Sequence, residues 1–254
     1  MRRSLRELLA HAGESFQSVS LVWLAEYDTA LLQRAWERSV PDLPERLRTG
    51  AAAPLRVAGE PQGVQEDRRV VHDWRAWWRR PSCWRDDLVR PDGCRVVSVA
   101  CGESALLYVS RLSTLYTRGN PGKAPLRSLL PRRQPDFPPP TVADRLAHAP
   151  PLLPWFGGEG WELTELGECK FAGRSGVRVR AIRLDPDAPE GFWEYVEHYE
   201  VIVDQERGVL LRSAAMVDGE EAGTFSIQSV RFDEPIPDDV FSYEPPEGTR
   251  IKRW

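Results

Sequence analysis

Four histidines, four cysteines and one crowded acidic stretch are the residues of this chain whose types could do chemistry. His11, His72, His148 and His198 stand alone, without HxH or HExxH spacing, so none has the local partner that a zinc site needs. Each reads as a surface or strand residue. Cys83, Cys94, Cys101 and Cys169 form no CxxC pair and have no partnered histidine, which favours buried, reduced thiols over a metal site. Gly173-Arg174-Ser175-Gly176 misses the GxSxG spacing of a nucleophile elbow. Gly119-Asn120-Pro121-Gly122-Lys123 lacks the rest of a phosphate-loop pattern, and no apolar strand leads into it. Glu194, Glu197 and Glu200 with His198 form the densest acid group. On a strand, Glu194 and His198 share a face while Glu197 takes the other, which describes a solvated edge and not a pair of catalytic carboxylates. No catalytic residue, metal or cofactor is assigned, and the chain reads as a non-enzyme.

Arg75, Arg79, Arg80 and Arg85 interleave with tryptophans, an arrangement that could stack on bases or lipid headgroups. The preferred reading sets arginines outward and tryptophans inward on a curved sheet. A net charge of −4 leaves no basic footprint, which excludes nucleic acid as a partner. Of ten tryptophans, Trp23, Trp74, Trp77, Trp78 and Trp84 crowd into the first third of the chain, as the wall of an apolar sheet or cavity would require.

The elements that must position these rings are mostly strands. Ser4 with Glu7 is a capping box opening a short helix that carries Leu5, Leu8 and Leu9 and ends by Gly13; its narrow apolar face suits packing at a sheet edge. Phe16 to Tyr27 is a strand covered on both sides. Asp28 or Thr29 then caps a helix from Ala30 to Ser39, stopped by Pro41. Residues 41–67 mix proline, glycine and charge with little periodicity, a surface excursion of low order.

From Arg69 the period is two again, with Val70, His72, Trp74, Ala76 and Trp78 on one face. Pro91-Asp92-Gly93 is a three-residue hairpin turn with a bulge, pairing Cys83–Val89 with Cys94–Cys101. Centring it on Asp92 sets Trp84, Leu88, Val96 and Ala100 on one side and makes Cys83 and Cys101 cross-strand neighbours, able to bridge if oxidised. Ala105 to Ser110 follows as a strand. Residues 119–151 hold nine prolines, which excludes a central strand or long helix there; only Thr141–Ala149 suits a helix. Trp161–Leu166, Val177–Leu184 and Phe192–Val203 read as further strands.

The segment Tyr199–Gly248 organises the rest. Three runs, Tyr199–Val203, Val209–Val217 and Thr224–Phe232, are separated by the polar turns at Asp204–Gly208 and Asp218-Gly219, an antiparallel meander. Pro235 and Pro237 then force an extended exit, with Ile236, Val240 and Phe241 anchoring it on the sheet. The strand ending in Asp204, the Gly208-to-Arg212 return and the Pro235-Ile236-Pro237-Asp238-Asp239 to Pro245-Pro246-Glu247-Gly248 ending resemble the C-terminal half of the LolA-like superfamily. The Trp74–Gly93 stretch WRAWWRRPSCWRDDLVRPDG and the Ala172-Gly173-Arg174 turn are similar to the same group.

That resemblance implies one α+β domain over residues 1–254: a strongly curved, incompletely closed antiparallel half-barrel with short helices and a proline-rich lid on its concave face. Within it, residues 1–13 form the N-terminal helix, 119–156 the proline-rich lid or connector and 161–248 the C-terminal sheet half. It places Val142–Phe156 across the hollow, and Trp23, Trp74, Trp78, Trp84, Leu153, Trp155 and Phe156 as wall and lid of a site for an acyl chain, lipid or other hydrophobic ligand. The alternative is an RseB-like regulatory module with a protein partner, these side chains simply filling the core. No apolar run is long enough to span a membrane, and charge within the first nine residues excludes a secretion signal there. The chain is therefore expected to be cytoplasmic as written, and extracytoplasmic if a leader was removed.

Overall fold

The structure, a computed structural model, describes residues 4–39, 69–80, 83–101, 104–118, 156, 159–184 and 196–253. Among these the chain forms helix α1 (Leu5–Ala10), β1 (Ser18–Asp28), α2 (Thr29–Ser39), β2 (Arg69–Arg79), β3 (Cys83–Val89), β4 (Arg95–Cys101), β5 (Ser104–Val109), β6 (Thr114–Arg118), β7 (Trp161–Phe171), β8 (Arg174–Arg183), β9 (His198–Asp204), β10 (Leu210–Val217), β11 (Glu220–Phe232) and β12 (Arg250–Arg253).

Local chemistry sets the boundaries. Ser4 Oγ accepts the Glu7 N–H while Glu7 Oε2 accepts the Ser4 N–H at 2.8 Å, so the capping box that starts α1 is reciprocal. Asp28 Oδ1 accepts the Leu31 N–H at 2.8 Å, which makes Asp28 the residue that turns β1 into α2. At the β3–β4 turn Gly93 takes a left-handed φ of 75° and the Cys94 N–H donates to Asp92 Oδ1. Ala172-Gly173 and Asp218-Gly219 are left-handed at both positions, the two-residue turn whose twist matches that of the strands it joins.

All twelve strands belong to one sheet, ordered β12-β6-β5-β4-β3-β2-β1-β11-β10-β9-β8-β7. It is strongly curved and does not close. Two meanders, β2 to β6 and β7 to β11, are joined by β1, which pairs with β2 on one side and β11 on the other. The expected all-antiparallel pattern fails at one edge, where β12 runs parallel to β6. Neither strand was expected: each is short, and residues 250–253 alternate charge with a single apolar side chain. The lid expected over 119–156 and the excursion over 41–67 lie outside the described residues, apart from Phe156.

Side chains of the two meanders meet in one core across β1. Trp23, Trp74 and Leu88 pack with Leu211, Val217, Phe225 and Ile227, under Leu31, Leu32 and Ala35 of α2. Further along the same face, Leu8 and Leu9 of α1 pack with Val177 and Val179 of β8 and Tyr199, Val201 and Val203 of β9. Helix α1 thus covers the face of β8 and β9 and reaches the edge strand β7, where Arg6 donates to the Trp161 carbonyl at 3.1 Å. The opposite face of β3–β6 buries Cys83, Val97, Val99, Tyr108 and Leu115 under Ile236 and Phe241, the anchors expected for the exit segment.

Candidate functional site

Antiparallel register places cross-strand partners on one face. Trp74, Ala76 and Trp78 of β2 lie opposite Leu88, Asp86 and Trp84 of β3. These lie opposite Val96, Ser98 and Ala100 of β4, which face Val109, Leu107 and Ala105 of β5. On the other side of β2, Trp23 pairs with Trp74 and Val19 with Trp78. The result is a broad, almost wholly apolar face.

Its centre is filled. Trp23 and Trp74 stack with centroids 4.3 Å apart and planes 13° from parallel, and Phe225 tilts against Trp23 at 4.9 Å. Trp23 and Trp74 are 2% and 5% exposed. Trp78 is half-buried, edge-on to Phe16 at 5.4 Å. Trp84 is buried with Ala100 and Ala105, and Leu107, Val109 and Tyr116 form an adjoining cluster. No described side chain of α1 or α2 belongs to either of these two clusters. Of the seven residues expected to line the hollow, Trp23, Trp74, Trp78 and Trp84 therefore share this face. Phe156 does not join them, being fully buried beside α1 and Trp161 in the other meander. Leu153 and Trp155 lie outside the described residues.

Asp86 breaks the apolar pattern. Its Oδ1 is shut off from solvent and accepts no hydrogen bond. Burial pushes its carboxyl up to about 8, with a further push from the charge of Asp87. Asp87 itself points to the opposite face, where Arg85 and Arg95 pair with it at 2.8 and 2.7 Å. Asp86 was missed in the sequence, yet CWRDDLV held the signal: with Trp84 and Leu88 on one face, period two sends the first of two adjacent aspartates there.

Of the outward arginines Arg75 is exposed, whereas Arg79 and Arg85 are held against the sheet. Arg79 donates to the Ile236 carbonyl at 2.9 Å and Asp238 at 2.7 Å, its guanidinium 4.8 Å from the Phe241 ring. Arg85 donates to the Val240 carbonyl at 3.0 Å and lies over Trp77 and Tyr243. Trp77 sits on this outer face, so the inward rule for tryptophans fails for it because the 235–243 segment supplies an apolar cover there too. In the acid group, Glu197 Oε1 accepts the Asp218 N–H at 2.9 Å and serves a turn, while His198 faces Glu200 at 3.8 Å; Glu194 lies outside the described residues.

Among the described residues no group of His, Cys, Asp and Glu is arranged to hold a metal ion, and no helix is long and apolar enough to cross a membrane.

No family model and no curated protein matches the sequence. Solved structures do, at low identity. The MucA/MucB complex of Pseudomonas aeruginosa aligns at 15% identity and a TM-score of 0.47, covering 94% of this chain and 61% of that one. An uncharacterized conserved protein of Thermus thermophilus aligns at 8% identity and a TM-score of 0.49, covering 99% and 100%. The lipoprotein LppX of Mycobacterium tuberculosis aligns at 12% identity and a TM-score of 0.42, covering 92% and 95%. The matches also include a LolA superfamily protein, the group that the sequence resembles. None of these TM-scores reaches 0.5.

Proposed function

We propose that this chain is a non-catalytic binding protein that takes a hydrophobic ligand, an acyl chain or lipid, along the concave face of β2–β6. One observation carries it: Trp84, Ala100, Ala105, Leu107, Val109 and Tyr116 are apolar side chains buried on one face of the sheet in two neighbouring clusters that hold no described side chain of α1 or α2. Binding there would come from burying apolar area, at about 0.8 kcal/mol per methylene, offset by the cost of association. Ionisable side chains support a binding role over catalysis, since Asp87 and Asp204 are tied up in ion pairs that hold strands and turns together. The Cys83–Cys101 disulfide supports an oxidising compartment.

A second reading, a regulatory module with a filled core and a protein partner, is favoured by the solid Trp23–Trp74–Phe225 stack at the centre of the same face.

Mass spectrometry of lipid extracted from purified protein, with titration of its tryptophan fluorescence by dodecanol, separates the two. The ligand reading expects co-purifying lipid and a saturable change that Trp84→Ala weakens. An extract without lipid together with a flat titration would leave the filled-core reading.

A further inference from the structure

Resting on the ligand reading above, we propose that Asp86 and the tryptophans around it form the headgroup end of the site, and that the ligand is an amphiphile bearing a substituted ammonium. Asp86 is the middle residue of a three-by-three patch on the concave face. Trp74, Ala76 and Trp78 lie on one side of it, Val96, Ser98 and Ala100 on the other, with Trp84 and Leu88 before and after it on its own strand. Opposite partners in such a ladder are roughly 5 Å apart and diagonal ones roughly 7–8 Å, within the reach of indole rings. A carboxyl group is thereby surrounded by three tryptophans, the combination of one anion and several π faces that recognises organic cations.

No charged residue is paired with Asp86 across the strands, and Arg90, four residues on, is buried. The residues facing Asp86 from β2 and β4 are Ala76 and Ser98. Asp87 and its partners Arg85 and Arg95 belong to the opposite face. Arg80, at the far end of β2 beside Trp78, is held by the carbonyls of Phe16 and Gly13. The Asp86 Oδ1 atom is shut off from solvent with no donor among the described residues, which costs free energy until a partner arrives. The positive charge of a substituted ammonium offsets that cost electrostatically, with or without an N–H of its own, and the acyl chain behind it runs over the Leu107–Tyr116 cluster.

A proton balance follows. The free protein holds Asp86 mostly protonated at pH 7, because burial raises its carboxyl to about 8. An ammonium favours the carboxylate, so binding releases a proton to buffer.

The test compares three twelve-carbon probes below their micelle concentrations: dodecyltrimethylammonium, dodecanol and dodecanoate. Tryptophan fluorescence reads affinity, and calorimetry in two buffers of different ionisation enthalpy reads the proton. The expected result is dodecyltrimethylammonium bound at least about tenfold more tightly than dodecanol, with proton release. Asp86→Asn should bring the two probes within about twofold and abolish proton release. Equal affinity of wild-type protein for ammonium and alcohol, or a preference for dodecanoate, overturns the headgroup assignment while leaving the apolar site standing. Binding of none of the three overturns both. Should Asp86→Asn fold poorly, the selectivity and proton release of the wild-type protein decide by themselves.

Discussion

Cys83 and Cys101 face each other across β3 and β4 with Cα atoms 4.0 Å apart and their sulfurs bonded, on the face that Ile236 and Phe241 cover. The bond closes a hairpin with a sequence separation of 18, a loop for which the lost entropy of the unfolded chain is worth about 3 kcal/mol. Reduction should lower the unfolding free energy by about 2–3 kcal/mol, measured in urea with and without reductant. In a Cys83→Ala, Cys101→Ala variant the reductant should have no effect. A wild-type midpoint indifferent to reductant would show that the pair contributes nothing.

Gly208 is where the turn between β9 and β10 meets α1. Its φ is +72°, and a Cβ there would lie 2.1 Å from the Leu8 carbonyl oxygen. Because that oxygen is backbone, the clash is relieved only by displacing the helix. Gly208→Ala should therefore cost about 2–4 kcal/mol and speed amide exchange in α1. Gly219 is the control, with φ +76° but nothing within 4 Å of the added carbon; there Ala should cost about 1 kcal/mol. Equal losses at the two glycines would mean that the contact with Leu8 carries no weight.

Most of this architecture was legible because its signals are local. The Ser4–Glu7 capping box, the Asp92-Gly93 turn and the Cys83–Cys101 register each depend on a few adjacent residues, and the period-two runs around Trp23, Trp74 and Trp84 assign faces without knowledge of the tertiary fold. The parallel β12–β6 edge was not legible, since Thr114–Arg118 and Arg250–Arg253 pair over a long sequence separation and neither has a patterned apolar face. Nor was the grouping of Phe156 with α1, which depends on how two distant segments pack. Asp86 is legible in principle, since Trp84 and Leu88 mark one face of β3 and period two places the first aspartate between them on it.

The exit segment should behave as a strap held by its aromatic anchor and two arginines. Phe241 is buried against the outer face of β3–β5 and lies under the Arg79 guanidinium. Phe241→Ala should cost about 3–4 kcal/mol and expose residues 235–243 to limited proteolysis. Arg79→Ala removes two hydrogen bonds and the ring contact and should cost about 1–2 kcal/mol, with cleavage in the same segment. Unchanged proteolysis in both variants would mean that the segment holds to the sheet without them.

Asp86 should also leave a mark on the pH dependence of stability. Its folded carboxyl sits at about 8 through burial and the neighbouring Asp87 charge, whereas the unfolded chain releases that proton near pH 4. Between those values the folded state binds the extra proton, so its contribution is intact below about pH 4 and is lost as pH rises towards 8. The slope in that window is at most about 1.4 kcal/mol per pH unit. Asp233 works the other way: the Gln17 N–H, and then Arg207, hold its carboxyl below the ordinary range, so its contribution disappears only on acidification below that range. The two windows separate, and urea midpoints between pH 5 and 8 report on Asp86. Asp86→Asn cannot ionise and should be more stable than the wild type at pH 8 than at pH 5, relative to its own baseline. Parallel profiles for the two proteins would mean that Asp86 finds water or a donor in solution.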